Sequence, residues 1–596
     1  VGAIKNEVQP VIGKLTPAAE QKTLAELAKG ALIPTNYVLP IRARMNRAPW
    51  EAMASLEEVA SAPAEVFRDS ASPERDLLKV LAFAGDFTTK LPERSVVKQP
   101  SHINHVLDWA KALVQDCTKL RAKAVAGLTP EERQRVFARG SEIVKEFGPQ
   151  EELNPTVEPI LKADRDFVQL AKWKIDWGAM IACEARLLRL ADLNVHDDLR
   201  GRLWGLRVKE SSVPGVKGRI IAEAKTPEGW IIIGSSENNV YDVKEPVALI
   251  IDDGGDDVYK GVVASQTDAN HGISAILDLY GNDTYEGDDS AFATGRLGCA
   301  LVVDAMGNDR YKSKEGGIGV GLGGIGIVVD REGNDSYTCS QYGIGLGGPC
   351  GSGGVFDVYG SDTYRCGFVV GSGYNEGDAP QAKPGDANYQ YDAWGLGIGL
   401  GRRLYPFNRK GYRDYTMAGG LGMLVDANGN DHYYASNFAV ACGYFFGIGC
   451  FVDIKGDDQY DVARYGIASG AHYAMGMFID ETGNDVYRST GPTYNCGCAW
   501  DHSAFFFTDM QGNDTYDLRR SAGPGRADIG SWGMAADLEG NDVYKLGLMP
   551  ATNSQNGLSG FLDAGGKDVY EVPGGQAKND VELKVGDGGV FIDEQK

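Results

Sequence analysis

The stretch VVDAMGNDRYKS, Val302 to Ser313, decides the fold because its pattern returns eleven times along the chain. Its leading aspartate stands at Asp252, Asp278, Asp304, Asp330, Asp357, Asp426, Asp453, Asp480, Asp509, Asp537 and Asp563. Gly follows three residues later in every copy, Asp five later and Tyr seven later; the fourth offset is Asn in seven copies. Copies are 26 to 29 residues apart, except that 69 residues separate Asp357 from Asp426, roughly 42 beyond one period.

A period near 27 is shorter than a four-stranded propeller blade of about 40 to 45 residues and fits one coil of a parallel solenoid. Apolar pairs such as Val302–Val303 enter the turn and a tyrosine leaves it, which is strand chemistry on both sides. Gly followed by Asn lets the backbone turn a corner without strain. Six and four residues before the aspartate stand tiny residues such as Gly298 and Ala300, except Phe505, with mostly apolar residues between them, for example Ile273, Ile325 and Trp532. Such alternation marks a strand with one core face and one face of nearly bare backbone. The bare face suits close approach by a polymer, a neighbouring sheet or another domain, and the helical front end is its expected cover.

That front end differs in composition. The 79 glycines concentrate after about residue 250, whereas the first two hundred residues are rich in Ala, Leu, Glu, Lys and Arg. Thr16, Pro17 and Gly30 frame one helix; Thr129, Pro130 and Glu132 open another that runs toward Gly148. Residues 101–126 and 156–193 carry helical spacing, with Glu184 and Arg186 read as solvated. The expected organisation is an α-helical domain over 1–210, a linker with first capping strands over 211–250, and a solenoid over 251–596 with an insertion at about 366–408. The solenoid is expected to be a right-handed parallel β-helix, with a solenoid of stacked β-hairpins as the alternative.

The turn GNDTY within Tyr280–Glu286 resembles the glycine-rich calcium repeats of RTX proteins, in which such corners bind calcium between coils of a β-roll. The resemblance covers only the turn, one copy per coil. A physical argument stands beside it. Coils stacked about 4.8 Å apart set each aspartate over its equivalent, at a cost of roughly 1 kcal/mol per pair even in water. Calcium is the expected cofactor, held by pairs such as Asp278 and Asp283, Asp304 and Asp309, Asp330 and Asp335, Asp453 and Asp458, and Asp480 and Asp485. Backbone N–H bonds with solvent screening are the alternative compensation. No organic cofactor is expected.

Of seven histidines, His271 and His502 lie seven residues before a turn aspartate and His472 lies eight before one. Stacking brings His472 and His502 within reach of each other if a bulge absorbs the one-residue difference, with Asp501 and Tyr473 beside them, a set suited to acid–base work with His271 as a further candidate. The bland alternative is that each is a satisfied core histidine. Cys496 and Cys498 match no usual zinc spacing and read as ordinary thiols. The insertion carries Trp394, Tyr405, Arg402, Arg403 and Arg413, chemistry that stacks on sugar faces and clamps acidic groups.

The formal net charge of −23 argues against nucleic acid as a partner, and no apolar run reaches the length of a transmembrane segment. A chain that begins at Val1 fits the removal of a leader, although none is visible. The expected location is extracellular, periplasmic or at the cell surface. The long groove of a β-helix resembles those of polysaccharide lyases and hydrolases. The expected function is therefore cleavage of an acidic polysaccharide, by β-elimination or by hydrolysis with Asp501 and Asp528 as carboxylates. The competing expectation is a calcium-stiffened surface or matrix protein that binds a polymer without cleaving it. Oligomeric state is left open.

Overall fold

The computed structural model describes residues 3–30, 45, 53–58, 60–61, 106–143, 158–403, 417–492 and 494–594. Tyr405 and Arg413 lie outside them, as does Gly148. Among the described residues the principal helices are Pro17–Gly30, Val106–Ala124, Pro130–Ile143, Glu158–Lys174, Trp177–Leu187 and Leu193–Leu203. Both predicted caps form. Ala19 N–H donates to Thr16 Oγ1 at 3.3 Å. Thr129 and Glu132 exchange the two bonds of a capping box at 3.2 and 3.0 Å. No described helix is long and apolar enough to cross a membrane.

From Lys209 onward the described residues are strand and turn, apart from the short helix Asn375–Asp378, wound into a parallel β-solenoid of about twelve turns, consistent with a right-handed parallel β-helix. Three sheets of 16, 13 and 7 strands run along it. The strand before each turn aspartate builds the first sheet and the strand carrying the tyrosine builds the second. Pairing between neighbouring coils is parallel and in register, as in Asp278↔Asp304↔Asp330 and Tyr285↔Tyr311↔Tyr337. The motif is therefore a corner between strands of different sheets, not a hairpin tip. Antiparallel pairs close the two ends, Arg219–Thr226 on Gly229–Gly234 and Val581–Val585 on Gly589–Glu594.

Inside the coils twelve tyrosines form one stack, from Tyr241 to Tyr570, with neighbouring ring centroids 4.6 to 5.0 Å apart. Tyr241 belongs to a degenerate coil in which Gly234 and Asn239 hold the two aspartate positions, so the periodic core starts within the expected linker. The residue two before each aspartate, such as Val302 or Phe451, points at this stack.

The tiny residues also face inward, where the first sheet passes close to the short third sheet. A methyl group on Gly326 would lie 2.1 Å from the Ala293 carbonyl oxygen. The neighbouring sheet thus takes the bare face, and the expected cover by helices is corrected. The helical domain lies instead on the opposite, large apolar face, where Leu301, Val303, Met477 and Trp532 join one core with Val11, Leu113, Met180 and Leu187. Glu184 sits at this interface and is fully buried rather than solvated. Burial raises its carboxyl well above the ordinary value.

The long gap is also not one insertion. The strand Gly399–Leu400 keeps its place in the third sheet between Leu346–Gly347 and Gly443–Tyr444, so the added residues fall into two excursions, before and after it. Both other sheets pass the gap unbroken, with Asp357↔Asp426 and Tyr364↔Tyr433 paired directly.

Corner packing makes a direct prediction. A methyl group at Gly307 would fall 1.8 Å from the carbonyl oxygen of Gly281 in the coil below. Gly307→Ala is expected to cost about 1–3 kcal/mol, read as a lower denaturant midpoint. An unchanged midpoint would contradict the stacking of corners.

Candidate functional site

Each coil contributes two buried aspartates to a ladder along one corner. The tyrosine hydroxyl of one coil donates to the first aspartate of the next: Tyr285 to Asp304 Oδ2 at 2.7 Å, Tyr311 to Asp330 Oδ2 at 2.7 Å and Tyr460 to Asp480 Oδ2 at 2.8 Å. The second aspartates connect through the backbone, as when Asp309 N–H donates to Asp335 Oδ1 at 2.5 Å. The same bond joins Asp283 to Asp309 and Asp458 to Asp485. Asn282, Asn308 and Asn334 form an outer ladder in the opposite sense, Asn308 N–H donating to Asn282 Oδ1 at 3.0 Å.

These bonds leave part of each carboxylate unserved. Oδ2 of ten second aspartates, among them Asp283, Asp309, Asp335, Asp458 and Asp485, is buried with no hydrogen-bond partner. So is Oδ1 of seven first aspartates, including Asp330, Asp453 and Asp480. The carboxylates converge in threes: Asp283 with Asp304 and Asp309, Asp309 with Asp330 and Asp335, and so on along the corner. Within each trio oxygens lie within 4.8 Å of one another, and calcium–oxygen bonds of about 2.3–2.6 Å span such a gap. The all-oxygen donor set suits calcium better than softer metals. One divalent ion per coil would balance both of that coil's carboxylates.

Without such an ion the ladder must hold protons. Burial and neighbouring carboxylates push the first aspartates up, as at Asp304 and Asp480, and do the same at Asp335 and Asp485. At the end of the ladder burial raises Asp568 to about 6.

A second cluster forms where the third sheet meets the helical domain. Asp501 accepts from two imidazoles: His472 Nδ1 lies 2.5 Å from Oδ2 and His502 Nδ1 2.8 Å from Oδ1. Burial alone would raise the Asp501 carboxyl, but these two bonds hold it well below the usual carboxylate range. Tyr473 stacks on His502 at 4.9 Å, Trp500 and Tyr444 pack edge-on against His472, and Glu26 of the helix Pro17–Gly30 lies 3.5 Å from His502 Nε2. Arg403 Nη1 sits 2.6 Å from His472 Nε2. His472, Tyr473, Asp501 and His502 all adopt positive φ, between 49° and 64°, so tight corners aim these side chains together.

The remaining candidates lie elsewhere. His271 pairs locally with Asp268 at 2.7 Å, six coils and about 29 Å from His472 at the usual strand spacing. Asp528 is buried and held by Arg526, Tyr494 and Ser554, so it forms no carboxylate pair with Asp501. Two residues expected to meet sugar are already engaged within the protein. Trp394 is 7% exposed and stacks on Phe438 at 3.6 Å, because it belongs to the coil itself and not to an excursion. Arg402 pairs with the buried Asp164 at 2.9 Å, tying the second excursion to the helical domain. Cys496 and Cys498 are buried free thiols.

One cluster escaped the sequence argument. His432 Nε2 lies 2.9 Å from Asp461 Oδ2 on the outer face of the second sheet. The signal was a histidine one place before a ladder tyrosine, with an aspartate one place after the next.

No protein-family model matches this chain, and neither a curated protein nor a solved structure matches it.

The ladder gives a pH prediction. A carboxyl whose folded pKa is raised binds its proton more tightly when folded. Its contribution is therefore complete below the ordinary value near 4 and is lost as pH rises through the folded value. Chelator-treated protein is expected to melt at a lower temperature at pH 8 than at pH 5, with the loss beginning above about pH 4 and running through about 6 at Asp568. A chelated melting temperature that rises from pH 5 to pH 8 would contradict buried, uncompensated carboxyls.

Proposed function

We propose that the chain is a calcium-loaded solenoid that serves as a rigid extracellular or cell-surface scaffold and holds a surface polymer rather than cleaving it. The observation that carries this reading is the row of buried, unpartnered aspartate oxygens, repeated at every inner coil. Burying a lone carboxylate costs several kcal/mol, and that cost recurs along the whole corner. A cation that binds the folded chain alone adds stability by mass action at each site. Calcium is expected to raise the melting temperature of chelated protein at pH 8 by at least about 10 °C, and Asp309→Asn is expected to reduce that gain. No shift with calcium, in protein shown to be metal-free beforehand, would overturn the reading.

A second reading is favoured by one specific observation, a single carboxylate bonded to two imidazoles with Arg403 against one of them. In it Arg403 swings from His472 Nε2 to face the carboxylate of an acidic polysaccharide, which frees that nitrogen, His472 and His502 move protons on the polymer, and Asp501 orients both rings. Loss of either histidine is then expected to lower cleavage of a polyuronate by about 10²–10⁴. Full activity of His472→Ala, or no cleavage by the unaltered chain, removes this reading.

A further inference from the structure

The outer face of the second sheet carries a patch unlike the rest of that face. Register aligns Arg365, Tyr434, Asp461 and Arg488 in one outward column across four coils, with Thr363, His432, Gln459 and Val486 in the next. Elsewhere on that face opposite charges meet: Lys312 and Glu286 of neighbouring coils lie 3.4 Å apart, and Asp517, the next residue after Arg488 in the patch's column, is held by Arg519 of its own coil at 2.5 Å. Between the two arginines the one acid, Asp461, is taken up by its outward neighbours. Asp461 is 9% exposed and accepts from His432 Nε2 at 2.9 Å, from Gln459 Nε2 at 2.6 Å and, at the long distance of 3.5 Å, from Arg488 Nη1.

Arg365 has no carboxylate partner among the described residues. Its guanidinium lies 4.4 Å from the Phe368 ring and 5.7 Å from the Tyr434 ring. The Tyr434 ring rests 3.6 Å from that of His432, whose position Asp461 fixes. The two arginines bracket these rings across three coil spacings, about 14 Å. An aromatic platform between two exposed guanidinium groups, on a protein of net charge −23, complements a chain that alternates apolar sugar faces with carboxylates. Guanidinium forks match planar carboxylates bidentately, and aromatic rings receive the C–H faces of sugars.

We propose that Arg365, Phe368, His432, Tyr434 and Arg488 form a binding site for a uronate polysaccharide lying along the solenoid. The inference deepens the scaffold reading and rests on it for the kind of partner. It requires nothing of the His472–Asp501–His502 cluster, because the two clusters lie on different sheets.

The test uses the full calcium-loaded chain and isothermal titration with short oligogalacturonates, with dextran oligomers as neutral controls and heparin oligomers as sulfated ones. Oligogalacturonate is expected to bind and dextran not. Arg365→Ala and Arg488→Ala are each expected to weaken binding at least tenfold without lowering the melting temperature. Tyr434→Phe is expected to retain binding, because the ring survives. The proposal is overturned by absence of oligogalacturonate binding, by tighter binding of heparin, or by undiminished affinity in both arginine variants. Calcium content measured on the same samples separates the two readings, since a chain that loads calcium but ignores uronates fails only this one.

Discussion

Carboxylates stacked one coil apart inside a solenoid are the constraint on which the rest depends. A corner that buries two aspartates per turn must supply donors to them at every turn, and the repeat does so with fixed residues. The tyrosine seven places on gives a hydroxyl to the next coil's first aspartate, while the backbone N–H of one second aspartate reaches the next. Glycine at the third offset lets the corner pass within contact of the carbonyl below. Because most of these tyrosine hydroxyls and second-aspartate N–H groups donate from one coil to an acceptor in the next, the ladder itself enforces register. A slip of one residue would strand every aspartate at once.

The position of the acidity changes what the net charge means. The eleven copies hold 22 ladder aspartates against a formal net charge of −23, so nearly the whole excess sits inside the corner. One divalent ion per coil would leave the outer surface close to balanced. The net charge therefore says little about the outer surface, and a local patch such as Arg365 with Arg488 acts on its own terms.

Much of this was legible in the residues. The spacing of Asp, Gly, Asp and Tyr predicts stacked corners, and the pairing of Asp304 with Asp330 has that register. The neighbourhood of His472 and His502 followed from the same count, but the one-residue offset persists in the register: Tyr473 stacks on His502, and Asp501 bridges the two imidazoles. What escaped did so for physical reasons. Alternation shows that a strand has two faces but not which lies inside, since tiny residues suit a narrow interior as well as a docking surface. Trp394 looked like part of a loop because the period was broken, yet the third sheet needs a strand at Gly399–Leu400 and pulls its neighbours into the coil. Glu184 shows that a single acid in a helical pattern carries no sign of its burial. The pair His432 and Asp461 was hidden because attention to residues before the turn overlooks the strand that follows it.

The central claim is that cations, and not protons, compensate the buried ladder. It is tested most directly by counting metal on the folded chain at pH 8 after equilibration with calcium and removal of free ion. The account predicts close to one tightly held calcium per repeat. A folded solenoid that retains no cation, with its aspartates showing the infrared band of protonated carboxyls, would contradict it.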